Sequence, residues 1–156
     1  MTRADGAEVL ADLDPIYRGE LRVMHGDGWE PKHYLDWLMA APGGKWVVLQ
    51  DDAPVIVGGL LQLARPGTAQ TNLMMVRKQR IGREAREEAV RAMRKVIEGG
   101  RSAATGLHRI ECWTSCGARP EVVKFLEAVG LEHEHRFECW GAQREPVWLY
   151  SVTARG

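Results

Sequence analysis

Cysteine is scarce: Cys112, Cys116 and Cys139 are the only three in 156 residues. So few thiols build no disulfide framework and fit a reducing compartment. Long apolar runs are missing, and without about 18 consecutive apolar residues a helix cannot span a membrane. The opening Met-Thr-Arg-Ala-Asp-Gly lacks the apolar core of a secretory signal. Charge of one sign is missing too, since 21 Lys and Arg cancel 21 Asp and Glu. Basic residues interleaved with acids give no field that draws in nucleic acid or an anionic membrane. Repeats, low-complexity tracts and a domain-splitting linker are all absent. These absences point to a cytoplasmic protein with neither nucleic acid nor membrane as a partner.

What is present is ordinary for a globular chain: 45% hydrophobic and 27% charged residues. Residues 1–156 suffice for one domain with a full core. Tryptophan stands out, with six residues. Trp is favoured in cores and wherever one ring edge stays wet.

Asp14-Pro15 predicts a helix start, with proline in the first turn and Ile16, Leu21, Val23 and Met24 along the helix to Gly26. Pro31 opens a second helix with Tyr34, Leu35, Leu38 and Met39 on one face and Trp37 beside it. A meander follows: strands at 45–50, 55–64 and 70–76, with turns at Asp51–Pro54 and Arg65–Gly67. No strand precedes the first helix, although residues 2–10 leave room for a vestigial one.

The stretch from Val76 to Leu131 carries the most information. A hydrophobic strand runs into Arg77-Lys78-Gln79-Arg80-Ile81-Gly82, and a helix spans Arg83 to Glu98. Ile81, Ala85, Ala89, Met93, Val96 and Ile97 recur at helical spacing and face a sheet. Glu87 with Arg91 and Arg94 with Glu98 form opposite-charge pairs on the outer face. A strand over 107–113 and a helix from Pro120 to Val129 follow, closed by Gly130-Leu131. Strands at 132–140 and 147–152 end the chain. A strand feeding a glycine loop and a helix N-terminus makes an anion site.

This order, with Arg109-Ile110-Glu111 leading to Phe125-Leu126-Glu127-Ala128-Val129-Gly130-Leu131, resembles the GNAT acyltransferases. The resemblance covers about Trp46 to Val152. It implies an α/β (α+β) fold: a mixed, mostly antiparallel sheet flanked by about four helices. The sheet would splay where the 70–76 and 107–113 strands meet, and acetyl-CoA would enter there. Val76, Gln79, Arg80, Gly82 and Arg83 would line its pyrophosphate, and Asn72, Leu73 and Met74 would face the thioester. Glu111 is a candidate general base, with Glu138 as another, and Tyr150 a candidate proton donor.

The chain departs from the family pattern at three places. Glu84 stands where a small residue belongs, Leu126 where the family has Tyr, and Arg119 where it often has Asn. The Phe-Leu helix end, the reduced loop and the missing Tyr resemble GNAT-like proteins of tailed phages, including internal virion proteins. That likeness implies a scaffold with a decayed cofactor site, acting through protein partners or self-association as a component of a phage particle. The alternative is an acetyl-CoA-dependent N-acetyltransferase acting on a small amine. Cys112, Cys116, His133, His135 and Cys139 also invite a zinc reading, with His133 and His135 on one strand face. No tight knuckle holds the cysteines together, so no metal is assigned.

Overall fold

The structure, a computed structural model, describes residues 1–28, 30–62, 66–76, 81–100, 106–118 and 120–153. Helices α1 (Arg3–Ala11), α2 (Pro15–His25) and α3 (Pro31–Ala40) lead into strands β1 (Lys45–Gln50), β2 (Ala53–Gln62) and β3 (Thr68–Val76). Then come α4 (Arg83–Gly100), β4 (Arg109–Ser115), α5 (Pro120–Ala128), β5 (Glu132–Phe137) and β6 (Val147–Thr153). The sequence-based order of these last elements holds, with boundaries shifted by a few residues.

The segment expected to be a vestigial strand is instead α1. Thr2 caps it: its hydroxyl accepts from the Asp5 amide, and the Asp5 carboxylate accepts from the Thr2 amide. This reciprocal box satisfies donors that a helix start leaves without partners. Val9 and Leu10 then bury against α3 and the sheet.

The six strands run in the order β1-β2-β3-β4-β6-β5. Every neighbouring pair is antiparallel except β3 and β4. Those two pair in parallel at Thr68↔Arg109, Ala69↔Ile110 and Gln70↔Glu111, and then part. β3 continues to Val76 and β4 to Ser115. The expected splay is therefore present, and it leaves a V-shaped notch between the two strands.

Alternation along β2 sorts the core into two layers. Ile56 and Leu60 face α4 and α5, which close over them with Ala85, Ala89, Met93, Ile97, Val122 and Leu126. Val57 and Leu61 face the other way, onto Val9, Leu10, Leu35 and Leu38. Each such aliphatic side chain contributes about 1.5–3 kcal/mol when fully buried. Tyr17 of α2 packs against both clusters, which places α2 at the seam between the layers.

Two irregularities shape the sheet. Val57 pairs Met75 while Gly59 pairs Asn72, so β3 carries one extra residue opposite Gly58. That is a β-bulge at positions 73–74, on the strand that borders the notch. Gly58 is required there, because a Cβ would lie 2.4 Å from Cζ2 of the Trp46 indole. On β5, His133 pairs Tyr150 and His135 pairs Leu149, which makes Glu134 the extra residue.

Candidate functional site

Backbone direction fixes what faces the notch. The Cys116 amide donates to the Pro146 carbonyl across the turn toward β6. Because amides alternate along a strand, the Ser115 N–H points the other way, into the gap left by β3. Glu20 of α2 reaches it: Glu20 Oε2 lies 2.8 Å from the Ser115 amide nitrogen and 2.9 Å from Thr114 Oγ1. Glu20 is 5% exposed, an acid nearly out of water. Burial pushes its carboxyl above the usual range, and the two hydrogen bonds pull it partly back.

Around Glu20 the notch is lined with hydroxyls and a thiol. Thr71 on β3 hydrogen-bonds Cys112 on β4, where the strands have just separated. Burial raises the Cys112 thiol to about 11, so it stays protonated at neutral pH and is no nucleophile. Burial also raises the Tyr17 phenol, to about 12, with Asp14 adding to the shift and Arg86 of α4 opposing it. The Tyr34 phenol of α3 is raised first by burial and then by Cys112. None of Tyr17, Glu20, Thr71 or Thr114 was singled out from the sequence. One signal was available: Tyr17, Glu20 and Leu21 share a helical stripe, so an acid sits on a buried face.

The glycine loop is partly described. Gln79 and Arg80 lie outside the described residues, as does Arg119. Asn72 pairs with Gly59 and Val76 with Ile56, and the bulge between them takes in positions 73 and 74. Gly82 is exposed and its amide donates to Gln50 Oε1 at 2.7 Å. Arg83 begins α4 but turns its guanidinium to Glu87, 2.6 Å away, in an exposed pair. Glu84 is exposed in the first turn, where an acid favours a helix N-terminus.

Glu111 and Tyr150, the two candidate catalytic residues, lie on the paired strands β4 and β6. Glu111 is 2% exposed and accepts from Arg109 Nε at 2.8 Å. Arg109 also binds Glu134, which accepts from Ser151 Oγ. Glu111 thus belongs to an ion-pair network, and the carboxylate facing the notch is Glu20. Glu138 is exposed and paired with Arg136. Tyr150 is buried on β6, opposite Cys112 and in the same cluster as Leu126. Its phenol is raised, chiefly by burial.

The expected common face for His133 and His135 is not observed. The extra residue at Glu134 turns them to opposite faces: His133 contacts Trp148 and Tyr150, and His135 contacts Phe137. Among the described residues no three metal-ligating side chains come together. The helical charge pairs also differ from expectation. Arg91 binds Glu88, Arg83 binds Glu87, and Arg94 donates to the Ala128 carbonyl. One tertiary acceptor, the Ala128 carbonyl, thus takes Arg94, while Arg83 and Arg91 pair within the helix at i,i+4 and i,i+3 spacing.

No protein-family model matches the chain, and no curated protein matches it. Solved structures do. A ribosomal-protein-alanine N-acetyltransferase from Brucella melitensis superposes with a TM-score of 0.70 at 14% identity, over 98% of this chain and 96% of that one. A GNAT-family acetyltransferase from Bacillus anthracis gives 0.69 at 12% identity, over 97% and 89%. An acetyltransferase from Bacillus subtilis in complex with CoA gives 0.60 at 15% identity, over 87% and 90%. The fold is the GNAT fold. At these identities the likeness speaks for the fold alone. Nothing in the matches supports the bacteriophage or virion assignment suggested by the Phe-Leu helix end. Among the described residues no helix is long and apolar enough to cross a membrane.

One of these matches holds CoA, and the backbone donors bordering this notch are of the kind a phosphate oxygen accepts from. Gly82 N–H is held by a side-chain acceptor that can be exchanged for a phosphate oxygen. The first-turn amides of α4 are oriented for an anion. The bulge at 73–74 breaks the β2–β3 ladder on the strand that borders the notch.

Proposed function

We propose that this chain is an acetyl-CoA-dependent N-acetyltransferase that moves an acetyl group directly to an amine. The observation that carries the proposal is the notch itself. β3 and β4 stop pairing after Gln70 and Glu111, and a buried carboxylate, Glu20, stands in the opening. The GNAT-fold neighbours, one of them in complex with CoA, support the same assignment.

The chemistry needs a base, an oxyanion donor and a proton for the leaving thiolate. Glu20 suits the first role. Both of its hydrogen bonds fall on Oε2, which leaves Oε1 to take a proton from an acceptor ammonium. A carboxyl with a raised pKa is a stronger base than an ordinary one. The bulged backbone at Leu73 and Met74 suits the second role, and Tyr150, protonated at neutral pH, the third. Gly82 and Arg83 would hold the pyrophosphate once Gln50 and Glu87 release them. When bound, acetyl-CoA supplies the activated acetyl group.

One set of observations favours the second reading, a scaffold acting through protein contacts. Gln50 occupies the Gly82 amide, Glu87 holds Arg83, and Glu84 sets a carboxylate in the first turn. Isothermal titration with acetyl-CoA at low salt separates the two. Micromolar binding supports the transferase, and no heat at millimolar ligand leaves the scaffold.

A further inference from the structure

We propose that the cavity between the end of α2 and the start of α3 is a cation-binding cup for the charged ammonium head of an organic ligand. This inference rests on the transferase reading and names the class of its acceptor: an amine that carries a second cationic group. The cavity has a volume of about 410 Å³ and is lined by His25, Gly28, Glu30, His33, Tyr34 and Trp37. That size suits a small organic ligand.

Three rings build the walls. The His25 and Tyr34 centroids are 5.5 Å apart at 63°, His25 and Trp37 are 6.3 Å apart at 61°, and Tyr34 and Trp37 are 5.5 Å apart at 45°. Each ring touches the other two at a steep angle, so together they form a corner and not a flat stack. A cation in such a corner meets several ring faces within about 6 Å of their centroids. Trp37 keeps 44% of its surface exposed, so part of the ring is open to a ligand.

Charge points the same way. Glu30 is the N-cap residue of α3, yet its side chain makes no capping hydrogen bond. Its carboxylate instead stands at the cavity, 3.9 Å from His33 Nδ1. An exposed carboxylate beside aromatic faces recruits a cation and repels an anion. Burial holds the His25 imidazole below its usual range, so at neutral pH it carries no charge to oppose a cation. Tyr34 also packs into the core beneath the cup. It lines the cavity, and its phenol also feels Cys112 on β4.

The test is a calorimetric titration of the full chain, without acetyl-CoA, using choline and its neutral isostere 3,3-dimethylbutan-1-ol. Choline is expected to bind at least tenfold more tightly than the isostere. Trp37→Ala is expected to weaken choline at least tenfold, Trp37→Phe to retain part of the affinity, and Glu30→Gln to weaken it several-fold. Both side chains are exposed, so these variants keep the fold, which a thermal melt checks. Equal binding of choline and isostere, or an unaltered choline affinity in Trp37→Ala, overturns the cup. Because acetyl-CoA is left out, failure of the cup is separate from failure of the transferase reading, which the acetyl-CoA titration decides.

Discussion

The Glu20 carboxylate on α2 lies 2.8 Å from the Ser115 amide on β4, across 95 residues of sequence. It fills the place that β3, the second neighbour of β4, would fill had it not turned away. One hydrogen bond thus ties the first half of the chain to the splay, and four predictions start from this region.

Glu20→Gln keeps an acceptor for Ser115 and Thr114 but removes the buried charge. Because the folded carboxyl is raised above its ordinary value of 4.5, its contribution to stability is full below that value. That contribution is lost as pH rises through the folded pKa. Wild-type stability should therefore fall on the alkaline side of the carboxylate range, and Glu20→Gln should flatten that slope. Glu20→Ala leaves a buried amide without an acceptor and should cost about 1–3 kcal/mol. Urea melts from pH 4 to 8 check both. If Glu20 is the base, Glu20→Gln also lowers kcat by roughly 10²–10⁴-fold.

Gln50→Ala frees the Gly82 amide and should tighten acetyl-CoA binding several-fold, in line with the ~0.5–1.5 kcal/mol net worth of one hydrogen bond. Gly82→Trp places a bulky side chain where a Cβ would already stand 3.2 Å from Gln50 Oε1, and should abolish binding with the fold intact. Glu84→Gly should strengthen binding, with a loss of about 0.3–1 kcal/mol in helix stability. Unchanged affinity across all three variants would remove the loop from the cofactor site.

Arg109→Ala strands the buried Glu111 and unties Glu134. It should cost about 2–3 kcal/mol, below the usual loss for a buried pair, because Arg109 keeps 24% of its side chain in water. Glu111→Gln should leave the pH profile of kcat/KM in place, while Glu20→Gln shifts it. The reverse pattern would return the base role to Glu111.

Gly58→Ala drives a methyl into the Trp46 indole. Overpacking of this kind costs about 1–3 kcal/mol. A double mutant with Trp46→Leu should recover part of that loss, measured as a coupling energy in thermal melts. Additive losses would mean that the bulge, and not the indole, sets the requirement for glycine.

Much of the fold was legible because periodicity is a local property. The spacing of Ala85, Ala89, Met93 and Ile97 defines α4 whatever surrounds it, and these residues are buried. α1 was not legible, since its capping box uses Asp5 in place of a longer acid and its apolar face is short. The faces of His133 and His135 were misread because one inserted residue reverses alternation, and a bulge leaves no mark in composition. Glu111 and Glu20 read alike as acids on regular elements. Only their neighbours separate an acid neutralised by Arg109 from one held in the notch.

The sequence by itself determined the elements from α2 onward and their order, because hydrophobic spacing and turn residues act over a few positions. The tertiary structure decided which charge meets which partner and where β3 leaves β4. Those outcomes depend on contacts between residues far apart in the chain, and no local pattern encodes the distance between Glu20 and Ser115.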